Sequence, residues 1–180
     1  MPYVRCMTQT IIDDFAKAHP RAATGTEWEF LSDRVMGGVS GGGLSRDTVA
    51  GRTALRLTGD VRLDNNGGFV QAALDLAPGG AAIDARPFAG IALDVLGQGE
   101  TYNLHLRTAD VVRPWQSYRA TFLAPPRWTR VDLPFSDFDP HRLDVPLDLS
   151  SLRRIGLVAI GRAFRADLSV AWIGFLPRPD

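Results

Sequence analysis

Short runs of alternating apolar and polar residues, each closed by Gly, Pro, Asn or Asp, recur along most of this chain. A period of two marks a strand with one buried face, and the turn residues between runs mark short connections. In TALRLTGDVRL (53–63), Leu55 and Leu57 alternate with polar residues. Val61 and Leu63 follow beyond Gly59-Asp60, a pair that signals a hairpin or bulge. NNGGFVQAALDL (65–76) places turn chemistry before a strand. FAGIALDVLG (88–97), WQSYRATFL (115–123), WTRVDLPF (128–135), LRRIGLVAIG (152–161) and DLSVAWIGFL (167–176) read as further strands. TYNLHLRT (101–108) sets Tyr102, Leu104 and Leu106 on one face, with Asn103, His105 and Arg107 on the other.

Helical signals are weak. DDFAKAHP (13–20) is at most a short turn closed by Pro20, and LDLSSLRRIG (147–156) holds one turn before a strand. Eight or more short strands with Gly, Pro and Asp turns imply an all-β fold, an antiparallel β-sandwich. A chain of 180 residues suits a single domain over 1–180, with residues 1–10 an N-terminal tail or edge segment.

Composition narrows the function classes. Twenty basic residues balance twenty acidic ones. That argues against a broad footprint for nucleic acid or an anionic membrane, either of which needs clustered positive charge. Cys6 is the sole cysteine, so no intrachain disulfide can form and a reducing compartment is expected. The opening MPYVRCMTQTIIDDF lacks a long apolar core behind a basic end, and no 18-residue apolar run occurs. The expectation is a cytoplasmic protein without a transmembrane segment.

SDRVMGGVSGGG (32–43) raises the question of a phosphate cradle. A P-loop needs a Lys after its glycines, and a dinucleotide fingerprint needs a helix after the loop. Here LSRDTVAGRTALRL follows, which reads as strand and turn. Gly37 and Gly38 are therefore expected to serve a tight bend, with Met36 packed inward and Gly41–Gly43 a mobile turn. On that division Gly38→Val destabilises the fold and Gly42→Ala is mild. Asn65 and Asn66 either present amides to a ligand or simply make the turn, which Asn and Gly favour.

Chemistry-bearing motifs are sparse. There is no nucleophile elbow, no zinc- or calcium-binding spacing, and the aspartates fall mostly in turns. No catalytic, metal or cofactor residue is assigned. The best polar grouping is Asn103, His105 and Arg107 on one strand face, with Trp115 or Gln116, and Tyr118, beside them if the next strand pairs there. An aromatic ring, amides and a guanidinium suit a sugar, a carboxylate or a peptide, although a solvated sheet face has the same look.

DRVMGGVS (33–40), GDVRLDNNGGFVQ (59–71), YNLHLRT (102–108), WQSYRATF (115–122), WTRVDLPFSDFDP (128–140) and LRRIGLVAIG (152–161) occur in an order that resembles the complex I intermediate-associated protein family. The resemblance spans about residues 11 to 176. It implies a galactose-binding-like jelly-roll β-sandwich and an assembly or chaperone-like role for a respiratory NADH dehydrogenase-type complex, with no catalysis. The expected partners are subunits or assembly intermediates of that complex. The alternative is a carbohydrate- or small-ligand-binding module. The candidate ligand- or partner-binding residues are Asp33, Arg34, Asn65, Asn66, Asn103, Arg107, Trp115, Gln116 and Tyr118.

Overall fold

The computed structural model describes residues 10–179. Most of the predicted tail lies outside the described residues. Two antiparallel sheets pack face to face. The first holds β3 (Gly41–Val49), β4 (Arg52–Val61), β12 (Phe164–Pro177), β6 (Phe88–Leu96) and β9 (Thr129–Pro134), in that spatial order, with β1 (Ile11–Asp13) also pairing β12. The second runs β10 (Asp139–His141), β8 (Ser117–Ala124), β7 (Glu100–Thr108), β11 (Leu152–Ile160), β5 (Phe69–Asp75), β2 (Glu29–Ser32).

The core lies between the sheets and follows the alternation in sequence. Leu55 and Leu57 from β4, Ile91, Leu93 and Val95 from β6, and Leu168 and Val170 from β12 fill it from one side. Val70, Ala72 and Leu74 from β5, Tyr102, Leu104 and Leu106 from β7, and Leu157 and Ala159 from β11 fill it from the other. Burying a side chain of Leu, Ile or Phe size stabilises the fold by roughly 1.5–3 kcal/mol, so the interleaved faces fix the strand register. The turn expected before LRRIG forms as a 3-10 turn at Leu149–Ser151, where the Asp148 carboxylate accepts the Ser150 N–H at 3.0 Å.

Three local expectations are corrected. Gly59-Asp60 is neither hairpin nor bulge, because β4 pairs in unbroken register with both β3 and β12 through these residues. The β3–β4 reversal sits instead at Ala50-Gly51, both at positive φ. Gly41–Gly43 is not a mobile turn: it opens β3, with Gly42 opposite Gly59. The segment after Ile11 carries β1 rather than a helical turn at its start. There the Asp13 carboxylate accepts the Phe15 N–H and the Trp28 indole N–H, at 2.9 and 2.8 Å.

Candidate functional site

The outer face of the second sheet forms the floor of an open groove of about 820 Å³. Register explains which side chains reach it. One row across the sheet runs Arg119, His105, Gly156, Ala73, Glu29, from β8 through β7, β11 and β5 to β2. The next row runs Thr121, Asn103, Val158, Gln71, Leu31. The small residues in the first row deepen its centre. A Cβ on Gly156 would stand 2.2 Å from the Gln71 side-chain oxygen, so that glycine makes room for Gln71 to lie across the floor.

Two loops form opposite rims. One is the 3-10 turn Asp33–Met36, whose Val35 and Met36 face the groove beside Asn66. Met36 does not pack inward as expected; it is 52% exposed. The other rim is the loop between β7 and β8, which carries Val112 and Trp115, again exposed. Arg107 holds this loop from below. Its guanidinium donates to the carbonyls of Arg113, Pro114 and Gln116 at 3.2–3.4 Å. Gln116 completes the brace: its side-chain oxygen accepts the N–H groups of Val112 and Arg113, and its amide donates to the Arg142 carbonyl.

The nine candidate residues therefore separate. Asn66, Arg107, Trp115 and Gln116 line the groove. Asn103 shares the floor face farther along β7, where its side-chain oxygen accepts the Thr121 hydroxyl at 2.8 Å. Tyr118 is not on this face. It pairs in register with Leu106, points between the sheets and is fully buried, with its hydroxyl donating to the Val145 carbonyl. Asp33 is also fully buried and is a structural hub. Its carboxylate accepts the Ser40 N–H, the Ser40 hydroxyl and the N–H groups of Gly68 and Phe69. Burial alone would raise its pKa, but these hydrogen bonds hold it below the ordinary 3.8. Arg34 donates to the Ser40 carbonyl at 3.0 Å, and Asn65, at φ 56°, donates to the Gly37 carbonyl at 3.2 Å. The Arg34 bond closes the bend on itself, and the Asn65 bond ties the neighbouring turn to it.

The charge of the groove is lopsided in a chain whose total is zero. Among the described residues, Arg107, Arg119, Arg142, Arg153 and Arg154 line it, with Asp75 as the one carboxylate. Asp75 is already paired with Arg154 at 2.6 Å, and Glu29 pairs with the same guanidinium at 2.8 Å. Among the described residues Arg107, Arg119 and Arg142 have no ion-pair partner. Burial lowers the pKa of Arg107 and of Arg119, and neighbouring arginines lower both further. His105 belongs to the polar grouping read on one strand face but not to the nine candidate binding residues, and Arg119 and Arg142 belong to neither. The parity of Tyr118, Ala120 and Phe122, all apolar, was the available signal that Arg119 faces outward.

His105 sits at the centre of this face, 8% exposed, and its Nε2 has no hydrogen-bond partner among the described residues. Burial, then the charges of Arg119, His141 and Arg107, push its pKa down to about 3. The folded protein thus keeps His105 neutral where the unfolded chain, with a value near 6.5, takes up a proton. Stability from this group is full above pH 6.5 and falls as pH drops toward 3, by about 1.4 kcal/mol per pH unit. His105→Asn should remove that slope. Between pH 7 and 4.5 its stability relative to wild type should improve by about 3 kcal/mol, read from urea denaturation. A constant difference across that range would contradict a neutral His105.

No group of three or more His, Cys, Asp or Glu side chains that could hold a metal ion occurs among the described residues. No helix there is long and apolar enough to cross a membrane.

The family model for complex I intermediate-associated protein 30 (CIA30) matches residues 14–170. The chain belongs to this family. No curated protein matches it. Among solved structures, this CIA30-family chain is similar to the family 11 carbohydrate-binding module of cellulosomal cellulase Lic26A-Cel5E of Clostridium thermocellum. The TM-score is 0.72 at 16% identity, covering 94% of this chain and 95% of that one. It is also similar to the family 30 carbohydrate-binding module of cellulosomal cellulase Cel9D-Cel44B of Clostridium thermocellum, with TM-score 0.59 at 18% identity, covering 78% and 91%. An exo-beta-agarase matches with TM-score 0.60 at 12% identity over 96% of this chain but 26% of that one. At these identities the likeness concerns the fold, which is a galactose-binding-like jelly-roll sandwich.

The two motifs that carry the family resemblance meet in space. Asp33 of DRVMGGVS accepts hydrogen bonds from Gly68 and Phe69 of NNGGF, so the bend and the turn form one buried unit at the groove's edge. Membership in the CIA30 family supports an assembly-associated role.

Proposed function

We propose that this chain is a non-catalytic binding module that assists assembly of a respiratory NADH dehydrogenase-type complex, engaging a protein partner through the groove. The CIA30 family match over residues 14–170 carries the proposal. The groove supports a binding role over a hydrolytic one. Acid–base hydrolysis of a sugar uses two facing carboxylates, whereas among the described residues the one carboxylate lining this groove is held in an ion pair. The expected cellular result is that deleting the gene lowers the assembled NADH dehydrogenase-type complex on native gels and leaves subassemblies behind. A normal amount of complex in the deletion strain would overturn the assembly reading.

A second reading, a carbohydrate-binding module, is favoured by the fold likeness and by exposed Trp115 beside Asn66 in the groove lining. An indole face can stack on a sugar ring, and amides can bond its hydroxyls.

A further inference from the structure

We infer that the groove is shaped for an extended acidic peptide segment with aliphatic side chains, supplied by the partner protein. The inference rests on the assembly reading and names the chemistry of the partner. Three observations carry it.

Uncompensated positive charge is concentrated where a ligand would lie. Arg119 and Arg142 stand on adjacent strands or turns at one side of the floor, with His141 and His105 between or beside them and no ion-paired carboxylate. Asp139 lies opposite Arg119 in register but forms no ion pair with it. Arg119 Nε donates to the neutral Ser117 hydroxyl at 2.8 Å, and guanidinium charges without an ion-pair partner over a partly buried surface are matched by carboxylates, often in bidentate pairs. A carboxylate ligand would relieve the mutual repulsion that this cluster bears in the free protein.

The rims differ from a platform for neutral sugar. Val35, Met36 and Val112 are exposed aliphatic side chains, and among the described residues Trp115 is the only exposed aromatic ring lining the groove. Sugar rings favour flat aromatic faces, whereas aliphatic side chains of a peptide pack against Val and Met. An acidic polysaccharide would satisfy the arginines and leave these rims uncovered.

The floor is prepared rather than adaptive. Arg107 and Gln116 brace the Trp115 loop, and Gln71 lies across Gly156, so the trough exists before a ligand arrives. Preorganisation lowers the cost of ordering a binding surface.

The test is calorimetric titration of the full chain with an acetylated, amidated decapeptide alternating Glu and Leu. Parallel titrations use an oligogalacturonate of similar charge and a mixed-linked β-glucan tetrasaccharide. The decapeptide should bind, should weaken with added salt, and should lose about tenfold in affinity with Arg142→Glu. Arg142 is on an exposed turn, so this variant should fold normally; Arg165→Glu, on the other sheet, should bind like wild type. Absence of peptide binding, unchanged affinity in Arg142→Glu, or equal or tighter binding of either glycan would each overturn the inference. The titrations need only purified protein. Their failure therefore leaves the assembly role to be judged by the deletion strain.

Discussion

Replacing Asp33 with Ala should destabilise the protein by several kcal/mol, enough to leave it largely unfolded if its total stability is ordinary. The carboxylate accepts four hydrogen bonds, from Ser40 N–H, Ser40 hydroxyl, Gly68 N–H and Phe69 N–H, at a site with no solvent exposure. Each buried donor left unmet costs roughly 1–3 kcal/mol, and here water cannot readily replace the acceptor. Asn65→Ala is the comparison. Its side chain makes one exposed hydrogen bond to the Gly37 carbonyl, and Ala is also disfavoured at its φ of 56°, so the cost should be about 1–2 kcal/mol, well short of that of Asp33→Ala. The hub also has a pH signature. Because hydrogen bonding holds the folded Asp33 pKa below 3.8, its stabilising effect is complete above pH 3.8 and is lost as pH falls through the lower folded value. Denaturant melts at neutral pH decide the point. An Asp33→Ala protein as stable as wild type would show that the two motifs do not depend on this carboxylate.

Gly42→Ala should be nearly as damaging, against the mild effect expected from the sequence. The added Cβ would stand 2.0 Å from the Thr58 carbonyl oxygen and 2.6 Å from the Gly59 Cα. Both obstacles are backbone of β4, so relief requires moving a paired strand. Overpacking of this kind costs typically 1–3 kcal/mol and sometimes more. Gly43→Ala, one residue on, meets nothing within 4 Å and should change stability by less than about 1 kcal/mol. Gly38→Val remains disruptive for a reason now visible: its Cβ would stand 2.4 Å from the Asp33 Cγ. Thermal melts of the Gly42 and Gly43 variants give the comparison. Equal melting temperatures would contradict the close approach of the Gly42 backbone to β4.

The fold was legible because alternation was clean. The face assignment of Tyr102, Leu104 and Leu106 against Asn103, His105 and Arg107 is what the structure shows. Less was legible where glycine removes the side chains that display a period, and so Gly41–Gly43 reads as a loop while it forms the start of β3. Tyr118 does not join the outward grouping even though β8 pairs with β7, because its alternation with Ala120 and Phe122 places it inward. Long-range register was the main missing information. Nothing local tells that Asp33 reaches Gly68, or that Gly156 lies between His105 and Ala73. The basic floor emerges only when arginines from four separate segments meet: Arg107, Arg119, Arg142 and the Arg153-Arg154 pair.

We propose that this groove is the working surface of an assembly-associated binding module. The direct measurement is rescue of the deletion strain, with the NADH dehydrogenase-type complex quantified on native gels. Wild-type chain and Arg165→Glu should restore the complex. A chain carrying Trp115→Ala and Arg142→Glu, with a melting temperature equal to wild type, should not. Full rescue by that folded groove variant would contradict the claim.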